Sequence, residues 1–384
     1  MPSGDAFQSF APIVDLRVPR YWNMPALKTI EIDRYLKSLA GPSAKLLRSR
    51  VLGEEPGERD LKGYGYGTPV QIDYEVDGKQ RRAVLHTVSA GPFGHEHMAD
   101  RAQALLWDHS SFNLLPRHVR SIDVGALRRD GRAVSLGDAE EFFTLTEYVE
   151  GRGYFEDLMT MLDDPRLTET DVARADALCD YLVDIHRVAS AERGLYVRRI
   201  RELVGHSECI MGLIDSYPDR PDIRTWDLED IERRCVAWRW RLKDRVHRLR
   251  VVHGDFHPWN ILFRDGTDFG VIDRSRGEWG EPADDVSCLT MNYLFFSLQR
   301  SGRLDGNLET LFMRFWERYL EKSGDVEMLH VVAPFFAFRA LVMAHPVWYP
   351  ALPDKVRQQL FRFMRTVLGE ERFEPSQVNR YCDG

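Results

Sequence analysis

Cysteine is scarce in this chain: five residues in 384, at Cys179, Cys209, Cys235, Cys288 and Cys382. They are scattered, odd in number and form no CxxC pair. That excludes a disulfide framework or a zinc knuckle as the organising device and predicts reduced thiols in a cytoplasmic protein. No run of about 18 or more apolar residues occurs, so no transmembrane helix is expected. The start, MPSGDAFQSFAPIVDL, lacks the basic stretch and apolar run of a signal peptide. An excess of positive charge is also missing. Lys and Arg number 52 against 60 Asp and Glu, a net charge of -8, which argues against nucleic acid as the main partner. Neither internal repeats nor low-complexity segments are present.

What the chain has is length and hydrophobic content, 384 residues and 43%, enough for a large core and for two lobes. Residues 1–50 read as an N-terminal extension with one helix near Glu31 to Leu39, ended by Gly41-Pro42 and packed on the next lobe. Residues 51–150 change character. Val70, Ile72, Tyr74 and Val76 alternate with polar neighbours, the period of a half-buried strand, and Asp77-Gly78 signals a hairpin. RRAVLHTVS and EEFFTLTEYV read as further strands. HEHMADRAQALLWDHS reads as a helix with Met98, Ala102, Leu105 and Leu106 on one face. This lobe is therefore expected to be an antiparallel sheet carrying one helix. Residues 151–384 turn helical, with Ala173, Ala177, Leu178, Tyr181, Leu182 and Ile185 at helix spacing. Three short strands interrupt the helices at LRVVHGDF, NILFRD and DFGVIDR, with Asp265-Gly266 as a turn.

Within those short strands lies the constellation with chemistry in it. Asp255 and Asn260 stand five apart on a loop after an apolar strand, and Asp273 ends another. Phosphoryl transfer needs a carboxylate to orient an acceptor hydroxyl. It also needs a few hard oxygen ligands for Mg²⁺, which prefers one or two carboxylates with amide and water oxygens.

The blocks His253-Gly254-Asp255-Phe256-His257-Pro258-Trp259-Asn260, Ile272-Asp273 and Gly280-Glu281-Pro282-Ala283-Asp284-Asp285 resemble the motifs of aminoglycoside phosphotransferase-like kinases, and the resemblance covers roughly residues 60–370. It implies an α+β, two-lobed protein-kinase-like fold: a small antiparallel lobe that binds nucleotide and a larger helical lobe. It implies ATP or GTP as co-substrate, Mg²⁺, and a small-molecule hydroxyl acceptor. By the family's pattern Asp255 is the catalytic base, and Asn260 and Asp273 are metal ligands. His253 fixes the loop, Asp285 holds it from the next helix, and the helix ending Ile185-His186 precedes the catalytic region. His257 either faces the site or is a structural histidine.

The small lobe departs from the pattern. Gly63, Gly65 and Gly67 in KGYGYGT suit a phosphate-cradling loop, or a plain hairpin. His86 stands where the family's strand lysine is expected. Either it substitutes for that lysine, or Lys62 or Lys79 supplies charge from another direction, or His86 is merely a half-buried strand residue. Glu96 and Asp100 are both candidates for the helix acid that would pair with it. The segment TEYVEGRGYFEDL resembles the family's hinge, with backbone groups near Glu147 and Val149 meeting the adenine edge. The acidic residues Glu150, Glu156 and Asp157 either favour a cationic acceptor or form a solvated turn. After Asp273 the chain reads Arg274-Ser275-Arg276, either a solvated basic turn or a grip on the transferring phosphate or an anionic acceptor. H-G-D in place of H-R-D, with no APE-like segment, argues against a protein kinase; nucleotidyl transfer on the same scaffold and a catalytically weak nucleotide binder are the other rivals.

Overall fold

The computed structural model describes residues 29–52, 67, 69–91, 93–164 and 166–383, and it divides into two compact units, residues 1–146 and 147–384. Gly63, Gly65 and Lys62 lie outside the described residues.

The first unit opens with α1 (Thr29–Ala40), which ends where Gly41 takes φ +95° and its N–H donates to Lys37 O. Three strands follow, β1 (Lys45–Val51), β2 (Val70–Val76) and β3 (Lys79–Leu85), in antiparallel order β1-β2-β3. Asp77 and Gly78 both have positive φ, the two-residue turn that matches strand twist. It sets the register Val76 opposite Lys79 and Val70 opposite Leu85. The alternation then puts Ile72, Tyr74 and Val76 on one face, where they pack with Ile32, Leu36 and Ala44. The described part of the expected extension thus belongs to this unit's own core. Next come α2 (Met98–Phe112) and a small hairpin, β4 (Gly125–Leu127) with β5 (Ala133–Ser135). The Tyr35 hydroxyl of α1 and Ser135 Oγ both donate to Asp123, which fastens that hairpin to the helix.

One expectation fails here. EEFFTLTEYV forms no strand: its backbone has no ladder partner among the described residues, and Phe143 and Leu145 are 90% and 91% exposed. β-propensity without a neighbouring edge leaves backbone groups to water, and the strand does not form. The helix expected at HEHMADRAQALLWDHS does form, as α2, but its apolar face is shallow. Met98 and Ala102 are exposed, and Leu105 and Leu106 are only half-buried.

The second unit opens with β6 (Arg152–Gly153), α3 (Tyr154–Asp163), α4 (Glu169–His186), α5 (Arg193–Gly205), α6 (Ile210–Ser216) and α7 (Thr225–Leu242). The expected short strands follow as β7 (Arg250–Val251), β8 (Ile261–Phe263), β9 (Phe269–Val271) and β10 (Trp279–Gly280), forming the sheets β6-β8-β9 and β10-β7. Then come α8 (Ala283–Ser301), α9 (Gly306–Ser323), α10 (Ala333–Ala344), α11 (Asp354–Gly369) and α12 (Val378–Asp383). From Asp285 to Leu298 every residue of α8 is buried, so this helix runs through the middle of the unit. α11 instead buries one stripe, Val356, Leu360, Phe363, Met364 and Val367. Each such side chain contributes about 1.5–3 kcal/mol on burial.

On α4 the buried stripe is Ala175, Leu178, Cys179, Leu182, Val183 and His186, rotated from the expected one by about a residue. The reason is polar: His186 must face inward to meet a buried carboxylate on α8. All five cysteines are free and buried. Burial pushes the Cys209 thiol up to about 11 and Cys179 up to about 12, so neither is a ready nucleophile. No helix of the described residues is long and apolar enough to cross a membrane.

Candidate active site

The loop from His253 to Asn260 leaves β7 and is fixed at its first residues by the start of α8. The buried Asp285 carboxylate accepts the N–H of His253 at 2.8 Å and of Gly254 at 2.7 Å. His186 Nε2 lies 3.1 Å from the same carboxylate, and Tyr319 Oη lies 2.8 Å from His186 Nδ1. With a carboxylate on one side, Nε2–H donates there. Nδ1 is left to accept from the Tyr319 hydroxyl, whose pKa burial raises well above the usual phenol value. Burial alone would raise Asp285; the His186 bond, the nearby histidines and the backbone N–H hold it below its ordinary value. Gly254 sits at φ +88°, with Arg276 Cβ 3.3 Å from where a side chain would begin, so only glycine suits this point. The buried His253 ring accepts the Asp255 N–H at 3.3 Å, which completes the turn.

That turn presents Asp255, whose side chain retains 15% exposure. One oxygen, Oδ1, receives Arg339 Nη1 and has Arg276 Nη2 at 3.9 Å; the other, Oδ2, has His257 Nε2 at 3.6 Å. Arg339 is only 5% exposed and also donates to Gly254 O at 3.0 Å and to Asp284. Burial pushes the Asp255 carboxyl up, but the charges of Arg339, Arg276 and His257 outweigh it, and the group stays below the usual carboxylate range. Burial holds Asp284 above its ordinary value, with the neighbouring Asp285 charge adding to it, although Arg339 and Arg276 act to lower it. His257 Nδ1 accepts the Trp259 N–H at 3.2 Å, so this ring both caps the turn and faces Asp255.

Asn260 is brought to the same place. Its amide nitrogen donates to Asp255 O at 3.0 Å, leaving the amide oxygen as the side chain's acceptor. Its backbone carbonyl accepts the Ile272 N–H at 3.0 Å, which sets Asp273, the next residue, beside it. Asp273 is exposed and adopts φ +59°, a left-handed conformation that Asp tolerates better than most residues. Strain of this kind clusters at functional sites. One amide oxygen and one carboxylate are hard donors of the kind Mg²⁺ takes when water completes its shell. A magnesium ion there would neutralise charge on nucleotide phosphates.

The remaining candidates fall elsewhere. Val149 packs on β9, with Cγ1 2.9 Å from the point where a Gly270 side chain would begin, and Glu147 is exposed beside it. In the first unit, His86 lies just past the end of β3 and is exposed, so it is not the half-buried strand residue that the alternation suggested. Gly67 lies against it: a side chain there would collide with Thr87 O and sit 3.6 Å from His86 Nε2. Asp100 accepts the His97 N–H at 2.6 Å as part of the cap of α2, which commits one of the two candidate acids to its own helix. Lys79 is an exposed strand end. Asp157 is neither a solvated turn nor a spare negative charge, because it is buried between Arg152 and Arg174. Arg274 donates to Val252 O at 2.9 and 2.7 Å and to Glu278 O at 3.1 Å, so it ties two loops together instead of reaching for a ligand.

Arg339 was not singled out by sequence reasoning. Its signal was present: APFFAFRALVMA is an apolar helix with one charge in it, and a buried guanidinium requires carboxylate partners.

Comparison with solved structures returns kinases at low identity. A glucosamine kinase bound to glucosamine, ADP and phosphate shares 17% identity over 53% of this chain and 57% of its own, with a TM-score of 0.38. This chain therefore spans little more than half the length of that protein. An amicoumacin kinase in complex with AMP-PNP and Ca²⁺ shares 14% identity over 83% of this chain and 90% of its own, with a TM-score of 0.39. For an ethanolamine kinase of Plasmodium vivax the figures are 12%, 94%, 90% and 0.34. Comparison with curated proteins finds no match. The sequence model described as "Phosphotransferase enzyme family" matches residues 74–321, which spans β2 of the first unit through α9 of the second and includes all three motif blocks. The chain belongs to the phosphotransferase enzyme family.

Proposed function

We propose that this protein transfers the γ-phosphoryl group of ATP or GTP to a hydroxyl of a small molecule. Asp255 orients the acceptor hydroxyl and takes its proton as the bond to phosphorus forms. Asn260 and Asp273 are the residues that would hold Mg²⁺. The observation that supports this reading most directly is that the turn fixed by Asp285 carries Asp255, that the Asn260 amide bonds to Asp255 O, and that the Ile272–Asn260 backbone bond brings Asp273 next to them in the fold. Two guanidinium groups beside Asp255 lower its basicity. That is compatible with phosphoryl transfer, where the transition state is loose and positioning outweighs base strength. On the donor side, Gly63, Gly65 and Gly67 would cradle phosphates, His86 would stand in for the lysine, and backbone groups at Glu147 and Val149 would meet the base.

The test is a phosphotransfer screen over aminoglycosides, amino alcohols, sugars, hydroxy acids and macrolides with both donors. A phosphorylated product is the expected result. Products carrying a nucleotidyl group, seen by mass spectrometry, would reassign the reaction.

His86 motivates a second reading, a nucleotide-binding protein with little transfer. His86 is exposed, and an imidazole does not carry the permanent charge of a lysine ammonium. Thermal stabilisation by ATP and Mg²⁺ with no product across the whole panel would favour it.

A further inference from the structure

The basic turn after Asp273 contains two arginines, and the structure separates them. Arg274 is consumed by backbone carbonyls. Arg276 is not. Its guanidinium lies over the Phe338 ring at 4.6 Å, which fixes its plane and leaves its N–H edges to either side. Nε and Nη1 are buried without a hydrogen-bond partner among the described residues, and Nη2 stands 3.9 Å from Asp255, beyond hydrogen-bond distance. The side chain as a whole keeps 22% exposure, so an acceptor can approach a guanidinium whose buried N–H groups the described residues leave unpaired.

The nearby carboxylates supply charge but no hydrogen bond: Arg276 acts on Asp255 and Asp284 only at a distance. Arg339 already answers Asp255 and Asp284 together. Arg198 and Arg199 answer Glu202. Arg248 answers Glu281, which also accepts the Tyr196 hydroxyl. Arg276 opens onto a cleft of about 40 Å³ whose walls include Arg199, Leu203, Cys209, Asp284 and Phe335. That is room for about three water-sized spheres, the scale of a carboxylate or phosphate head group and not of a sugar ring.

We propose that Arg276 binds an oxyanion carried by the acceptor, so that the substrate is a hydroxy acid or a phosphorylated alcohol and not a polycationic antibiotic. This rests on the phosphotransferase reading above and narrows it. The guanidinium would hold the acceptor's anionic end within reach of Asp255 and so place its hydroxyl at that carboxylate.

The test begins without nucleotide. The full chain is titrated calorimetrically with inorganic phosphate and with glycerate, as wild type, Arg276→Gln and Arg276→Lys. Melting temperatures serve as the folding control. Binding by wild type that weakens about 10- to 100-fold in Arg276→Gln and less in Arg276→Lys is expected. No binding by wild type, or equal binding by all three, overturns the proposal. A second arm measures AMP-PNP with Mg²⁺. If Arg276→Gln weakens that affinity as much as phosphate affinity, the oxyanion is the donor's phosphate and the acceptor assignment fails. A third arm follows transfer from ATP by ³¹P NMR. Transfer to hydroxy acids that collapses in Arg276→Gln supports the proposal, and transfer confined to aminoglycosides or uncharged alcohols contradicts it. Arg276-dependent phosphate binding with no transfer to any acceptor would support the oxyanion site and sink the phosphotransfer reading instead.

Discussion

Removing the Arg339 side chain strands two carboxylates at once. Asp255 and Asp284 both rely on it, and all three are mostly shielded from water. Arg339→Met is expected to cost about 3–5 kcal/mol in stability, because it leaves charge buried without an answer. Urea denaturation measures that cost, and a change under 1 kcal/mol would show that the pair is solvated. Two histidines give a second prediction at this scale. Burial holds His253 and His345 below their ordinary values, so the folded state resists protonating them. Below about pH 6.5 the unfolded chain binds protons that the folded one refuses, and stability falls as pH falls. Melting temperature is expected to drop between pH 7.5 and 5.5, a window in which carboxylates with lowered pKa stay ionised. His345→Gln should flatten that slope; an unchanged slope would remove His345 from the account. The sequence put Asp255, Asn260 and Asp273 forward as candidates because they stand in short contiguous blocks that resemble a family's motifs. It did not show Arg339 or the difference between Arg274 and Arg276. Those depend on which backbone carbonyl or ring each long side chain meets after folding.

At the scale of elements, the loop His253–Asn260 owes its shape to α8 more than to its own residues. Asp285 receives two backbone N–H groups and a histidine, all charge-assisted. Asp285→Asn keeps the volume but turns half the acceptor into a donor facing those N–H groups. The expected result is a loss of about 2–3 kcal/mol and a lower kcat with nucleotide affinity retained. Calorimetry and steady-state rates on the same preparation would check it; equal losses in both would mean that the lobe, not the loop, has come apart. Elements with strong local signals were legible: the Asp77-Gly78 hairpin, α1, α4 and the short strands around the site. EEFFTLTEYV was misread because strand propensity does not say whether an edge is available to pair with it. The buried stripe of α4 was misplaced because hydrophobic spacing cannot show that His186 must point inward toward Asp285.

At the scale of the molecule, catalysis would depend on the second unit supplying both an orienting carboxylate and a metal site. Asp273 allows the second to be tested without disturbing the first. Because Asp273 sits at φ +59°, alanine there adds backbone strain of about 1–2 kcal/mol, whereas asparagine tolerates the conformation. Asp273→Asn is therefore the cleaner variant. It is expected to keep its melting temperature and to lose most of the Mg²⁺-dependent part of ATP affinity in titrations with and without the metal. The most direct measurement of the central claim is the turnover of Asp255→Asn against wild type, with ATP–Mg²⁺ and an acceptor identified in the screen. The account predicts a fall in kcat of about 10²–10⁴-fold with nucleotide affinity unchanged. Wild-type turnover in Asp255→Asn would contradict it.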